Sequence, residues 1–358
     1  MRRISANYAK PGMTLSRPVY DAQGFEVIES GTKLNDKLLR LLSIHSVAEI
    51  IIEDWRVADV PVQQLISPEH EGRAIQALRQ ISLECQGTKF IDDALLEEAE
   101  DPILQMTREL FPEVIGEANA GGCASIKDYP YVQPVKVAGL SLLVGRRIGL
   151  GILELIGLGM AALFKDIGSI VLPEGLLSKS QPTESELREI QKHPLYGAEI
   201  VSHYERFAPE VSEAIFYHHE RWDGAGYPEG LKKGDIPSFA RIISIADSYF
   251  ELVSKHADKE TLMPHEAVEY IMAYSGEMFD PELVEIFARQ VPLYPTGVTV
   301  KINTGEIGIV SDSNLGFIGR PTVRICFDED GRALREPYDT NLADAENQGR
   351  LVVQVMEY

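Results

Sequence analysis

The sequence predicts a multidomain, mainly α chain, with a central helical bundle flanked by a small N-terminal α+β domain and a small C-terminal β appendage. Three observations carry this expectation. The chain has 358 residues, more than one hydrophobic core usually serves. Apolar residues recur at helical spacing from Tyr129 to Gln290. Both ends instead carry short β-type runs punctuated by glycine, proline, asparagine and aspartate.

Residues 1–66 read as the N-terminal unit. From Leu15 to Asp54, short runs such as Phe25 to Ile28 alternate with turn signals at 21–24 and at Ser30 and Gly31. Asn35 is a good cap for the amphipathic run NDKLLRLLSI, and Ala48 to Ile52 reads as a closing strand. Ser67 and Pro68 open a helical stretch, 67–124, that is either a linker or the first helices of the central bundle, with NAGGCAS at 119–125 as its joint. The bundle itself, 125–292, contains periodic segments at Glu184–Gln191, Gly197–Tyr204, Pro209–Tyr217, Phe239–Leu252, Pro264–Ala273 and Pro281–Arg289. Residues 293–358 return to strand signals: VTVKI, a turn at Asn303 to Gly305, then Ile307–Val310 and Thr322–Phe327.

Composition excludes several classes. The charge sum of 34 minus 55 gives −21, which argues against coating DNA or an anionic membrane through a net positive field. Cys85, Cys123 and Cys326 are far apart without a CxxC spacing, so a cytoplasmic, reducing address is expected and no thiolate metal site. No apolar run follows the charged N-terminus MRRISANYAKPGM, so secretion is not expected. Leu140–Phe164 is apolar but is broken by Arg146, Arg147 and Glu154, and it reads as buried helices with glycines for close packing, not as a membrane span.

Chemistry concentrates in the bundle. Of eight histidines, His45 and His70 stand early and none follows until His193; His218 and His219 open HHERWDGAGYP, a dense polar and aromatic stretch at a helix end. Two adjacent imidazoles there can point into one cavity. Asp166 and Asp247 each lie in apolar settings, GMAALFKDIG and RIISIADSYF, where a carboxylate needs a cation or donors. Imidazoles and carboxylates together suit divalent iron, manganese or zinc, and a metal makes water nucleophilic near neutral pH. Singly these residues decide nothing: His193 before a proline also suits a helix start, and Asp247 also suits pairing with Arg241, two turns away.

In order and spacing, FKDIGSIVLPEGLL from Phe164, HPLYG from His193, HHERWDGAGYP from His218, IADS from Ile245 and SGEMFDPEL from Ser275 resemble the HD-GYP family over residues 125–290. That resemblance implies a bacterial cyclic di-GMP phosphodiesterase fold, an HD-superfamily bundle around two or three metal ions. It carries metal-binding roles to Asp166, His193, His218, His219 and Asp247, with Asp166 bridging the metals, and a substrate or partner loop to Arg221, Asp223, Gly226, Tyr227 and Pro228. Two ligand positions are substituted: the HD histidine is Lys165, and an earlier histidine is Gln133. Ser169 stands where a lysine follows the HDIG step, and HADK at 256–259 replaces an Arg-Pro-Tyr-Arg phosphate-binding segment.

The implied metal that depends on the two lost histidines and Asp247 should be very weak or empty, which leaves one iron or manganese ion, or none. Lys165 can stand in for the lost cation by holding Asp166 and Asp247. The reading is therefore a cyclic di-GMP signalling protein with an eroded site, weak or absent hydrolysis, and a role in binding that or a related dinucleotide, or a diguanylate cyclase or other protein through the GYP loop. The alternative is a working metal-dependent phosphodiesterase. The flanks KPGMTLSRPVYDAQG and LYPTG also resemble units that accompany such domains.

Overall fold

The computed structural model describes residues 1–356 except 22–24, 46, 48, 61–65, 111–128, 174, 178, 180 and 255–260. The expected joint at 119–125, Cys123, the turn residues 22–24 and the substituted segment 256–259 lie outside the described residues.

At the N-terminus, β1 (Arg2–Ser5) pairs antiparallel with β4 (Glu49–Ile52), with Arg2 opposite Ile52. Between them, β2 (Val19–Tyr20) and β3 (Glu26–Ile28) form a second ribbon. The helix α1 (Asp36–Ile44) starts as anticipated, because the Asn35 side chain accepts the Leu38 N–H at 3.0 Å. Ile4, Leu15, Leu34, Leu42, Ile50 and Ile52 close a small core beneath these elements.

The helices α2 (Pro68–Glu84) and α3 (Asp93–Glu109) follow, and Ile81, Ile103 and Met106 share one core with the rest of the bundle. At its centre, α4 (Tyr129–Arg147) is buried on nearly every face between Val132 and Gly145. It packs along α5 (Ile152–Phe164), and a Cβ on Gly159 would lie 2.6 Å from Ile103 Cγ2, so small residues do permit close helix contact here. A 3₁₀ turn, Ile167–Val171, leaves α5 and packs on α7 (His193–Ser202), which α6 (Glu184–Ile190) precedes. Then come α8 (Pro209–Tyr217), α9 (Ser238–Val253), α10 (Pro264–Ala273) and α11 (Pro281–Gln290). Each of these lies within about two residues of the segment its periodicity indicated, apart from α7, which starts earlier, at His193.

The C-terminal unit is a five-stranded antiparallel sheet in the order β8-β7-β6-β5-β9, built from β5 (Thr299–Ile302), β6 (Ile307–Asp312), β7 (Thr322–Phe327), β8 (Ala333–Asn341) and β9 (Val352–Met356). Val300, Ile302, Val310, Val323 and Ile325 fill its core. This unit touches the N-terminal one directly. Val57 and Val60 are buried with Ile309 and Cys326, and the Arg3 N–H donates to Gly297 O at 2.9 Å. Among the described residues no helix is long and apolar enough to cross a membrane.

Candidate metal centre

Four residues from three elements converge at the end of α8. Asp166 follows the last turn of α5, His193 is the first residue of α7, and His218 and His219 immediately follow α8. One donor atom from each of Asp166, His193, His218 and His219 lies within 4.8 Å of the others. The adjacent imidazoles of His218 and His219 have ring centroids 4.0 Å apart and belong to the same cluster. The His193 and His218 rings are 5.4 Å apart, and His193 and His219 are 5.1 Å apart.

The hydrogen bonds define which nitrogen faces inward. His193 Nδ1 donates to Ile190 O at 2.8 Å, and His218 Nδ1 donates to Ile215 O at 2.7 Å. A carbonyl accepts only, so both Nδ1 atoms carry a proton, and it is Nε2 of each ring that faces the site, with a lone pair in the neutral tautomer. This backbone anchoring of the far nitrogen is how metal-ligating histidines are commonly oriented. His218 Nε2 is buried without a hydrogen-bond partner and sits 3.7 Å from Asp166 Oδ1. His219 Nε2 approaches His193 Nε2 to 3.2 Å, and His193 Nε2 lies 3.3 Å from Asp166 Oδ1. An orphaned buried nitrogen among converging acceptors is a donor set that a divalent cation satisfies, so these residues fit one ion.

Electrostatics favour the same occupancy. Burial pushes the His218 imidazole below its ordinary range, against the opposing pull of Asp166. Burial, with His218 and His193 beside it, holds His219 well below. Neutral imidazoles are the metal-binding form. Burial would raise the Asp166 carboxyl, but the Lys165 ammonium beside it outweighs that and holds the group ionised well below the usual range.

Lys165 and Gln133 occupy the other side of Asp166. Lys165, only 2% exposed, contacts Asp166 Oδ2 and lies 3.0 Å from Asp247 Oδ1. Burial alone would lower its ammonium, yet Asp166 and Asp247 overcome that and raise it above the ordinary lysine value. Gln133, buried within α4, donates its amide to the same Asp247 oxygen. Asp247, from α9, is thus tied to Lys165 and Gln133 and stands outside the four-group cluster. Arg241 is paired elsewhere, with Asp280 at 2.6 Å.

The loop residues are ordered around this centre. The Tyr227 ring stacks on His219 at 4.6 Å, and burial, with Asp166 and Asp247 nearby, pushes its phenol up. The Tyr227–Pro228 peptide is cis. Arg221 and Asp223 pair with each other at 2.7 Å, and Asp223 Oδ1 accepts the Ala225 N–H. A Cβ on Gly226 would lie 2.4 Å from Arg221 N, so the loop folds flush onto the backbone after the histidine pair. Sequence reasoning passed over Glu220, which is 3% exposed and accepts three backbone N–H groups of this loop. An acid directly between a histidine pair and a glycine-rich loop was the available signal.

The HD domain family model matches residues 105–283, and the model for a KOW domain associated with HD domain matches 299–356. A cyclic di-GMP phosphodiesterase of Pseudomonas aeruginosa is 29% identical over 201 residues, which is 56% of this chain and 48% of that protein. The cyclic di-GMP phosphodiesterase response regulator RpfG of Xanthomonas campestris pv. campestris is 37% identical over 155 residues, 43% of this chain and 40% of that protein. A 3'3'-cGAMP-specific phosphodiesterase of Vibrio cholerae is 37% identical over 123 residues, 34% of this chain and 24% of that protein. The chain thus spans less than half the length of these curated relatives. Among solved structures, the HDG"Y"P protein Bd1817 of Bdellovibrio bacteriovorus aligns over 80% of this chain and 97% of its own, with TM-score 0.49 and 16% identity.

Proposed function

The chain belongs to the HD-domain family, and is of the HD-GYP type, and from that premise we propose that it is a cyclic-dinucleotide signalling protein whose metal site is reduced to one position. The observation that carries this reading is the placement of the Lys165 ammonium between Asp166 and Asp247, with the Gln133 amide on the same Asp247 oxygen. Protein donors there serve the carboxylates that a second cation would otherwise serve.

Asp166, His193, His218 and His219 would hold the remaining ion, iron or manganese by donor type. Such an ion supplies Lewis acidity to a phosphoryl oxygen and lowers the pKa of water. The chain's own residues then divide the work. Backbone carbonyls of Ile190 and Ile215 hold the Nδ1–H of His193 and His218 and so turn each Nε2 toward the ion. Lys165 fixes Asp166 and offsets carboxylate charge beneath the site. It cannot clamp the attacking and leaving oxygens together as a paired-metal site does, so hydrolysis is weak or absent and binding of cyclic di-GMP or a related dinucleotide remains. The relatives named as phosphodiesterases of cyclic di-GMP and 3'3'-cGAMP support that ligand class.

The test is chromatographic analysis of cyclic di-GMP incubated with anaerobically purified protein and ferrous iron or manganese, beside a His218→Ala control, with metal content and nucleotide binding measured on the same samples. The expected result is about one ion per chain, bound nucleotide, and no product above the control. Metal-dependent product that disappears in His218→Ala would replace this reading with that of an active phosphodiesterase.

A further inference from the structure

Glu220 is the residue around which the GYP loop is wound. Its carboxylate is almost fully buried, a costly position unless every lone pair finds a donor. Glu220 Oε1 accepts the N–H of Glu229 at 2.8 Å and of Gly230 at 2.9 Å, and Oε2 accepts the N–H of Leu231 at 3.1 Å. Three consecutive N–H groups converge because Gly230 has φ +70°, which turns the backbone into an anion-holding concavity. Across the loop, a Cβ on Gly226 would lie 2.6 Å from Glu220 Cα, and the Tyr227 N–H donates to His219 O at 3.2 Å. The outgoing limb of the loop therefore lies on the Glu220 backbone, and the returning limb is held by its side chain.

We propose that Glu220 is a positioning residue that fixes the loop 224–231 against the imidazole cluster, so that this one buried carboxylate sets the loop face offered to a cyclic dinucleotide. The inference rests on the dinucleotide-binding reading above. Glu220 touches none of the four candidate ligand atoms; it acts through the loop, at whose apex Tyr227 stacks on His219. The loop has a second anchor, the Trp222 N–H to Met278 O at 3.0 Å and the Asp223 N–H to Glu277 O at 2.8 Å. Loss of Glu220 should thus free residues 224–231 while leaving the root of the loop attached.

The chain has two tryptophans, Trp55 and Trp222, so a Trp55→Phe background makes Trp222 a fluorophore at the root of the loop, where the returning limb lies against it through the Lys233 N–H to the Trp222 carbonyl at 3.1 Å. In that background the full chain is compared with Glu220→Gln and Glu220→Ala. An amide still accepts from Glu229 and Gly230 but turns a donor toward the Leu231 N–H, so Gln is the graded variant and the one that keeps the test if Ala does not fold. Acrylamide quenching of Trp222 should rise in the order Glu, Gln, Ala, reaching about twofold, while manganese affinity stays within about threefold and cyclic di-GMP affinity falls about tenfold or more. A lowered melting temperature with parental quenching and parental nucleotide affinity in the folded protein would overturn the proposal. If the parent binds no cyclic di-GMP yet quenching follows the series, loop positioning by Glu220 stands and the dinucleotide reading falls.

Discussion

At the scale of residues, the centre turns on Lys165, which stands between Asp166 and Asp247. Replacing it separates charge from shape. Lys165→Met keeps most of the volume but leaves Asp247 with only an amide and Asp166 with imidazoles. Breaking a buried ion pair this way costs several kcal/mol. Asp166 keeps 39% of its side chain exposed, so about 3 kcal/mol is expected, measured by denaturation in chelator. Manganese should stabilise that variant more than the parent, because the ion can then serve both carboxylates. Introducing histidine at both substituted positions, Gln133→His with Lys165→His, should raise the bound metal from about one to about two per chain by elemental analysis. A stoichiometry still near one would mean that the two substitutions are not what removed the second position. The donor set was legible in the sequence because the histidine pair and the HD-type aspartate sit in recognisable strings. The tautomers were not, since they depend on the carbonyls of Ile190 and Ile215, which only the ends of α6 and α8 bring into reach.

At the scale of elements, the site depends on how closely the 3₁₀ turn carrying Gly168 presses on α7. A Cβ on Gly168 would lie 2.1 Å from His193 O and 2.4 Å from Gly197 N, both backbone atoms with no freedom to rotate away. Gly168→Ala must therefore push the turn that follows Asp166 off the helix that begins with His193, at a cost of about 1–3 kcal/mol or more. Because the candidate ligands Asp166 and His193 border that contact, manganese affinity should fall by about tenfold or more in titration calorimetry while far-ultraviolet circular dichroism keeps its helical amplitude. Unchanged affinity would show that the contact is slack. Helix positions were legible from apolar periodicity: α8, α10 and α11 begin at the prolines that marked them. The close contact was not, because a glycine in KDIG reads equally as a turn residue, and its neighbours come from a segment 25 or more residues on.

At the scale of the whole molecule, the two ends meet. The sequence announced two separate small β-bearing units, since strand signals report local pattern and not which sheet a strand lies beside. The structure joins them through a mixed contact whose polar and apolar parts should differ in strength. Arg324 reaches Asp59 and Asp339, but Asp59 is 68% exposed, so that pair is solvent-screened and is worth about 0–1 kcal/mol. Ile309 is 2% exposed and is buried with Val57 and Val60 from the other unit. Truncating it removes apolar contact and leaves a cavity, so Ile309→Ala should cost about 2–5 kcal/mol. If the ends behave as one body, the change made in β6 should also accelerate amide exchange in β1 and β4, where Arg3 donates its N–H to Gly297 O. Arg324→Ala should leave exchange in those strands near the parental rate. Faster exchange confined to residues 299–356 in Ile309→Ala would instead mean that the N-terminal unit is stabilised by its own core of Ile4, Leu15 and Ile50, with the contact between the ends adding little.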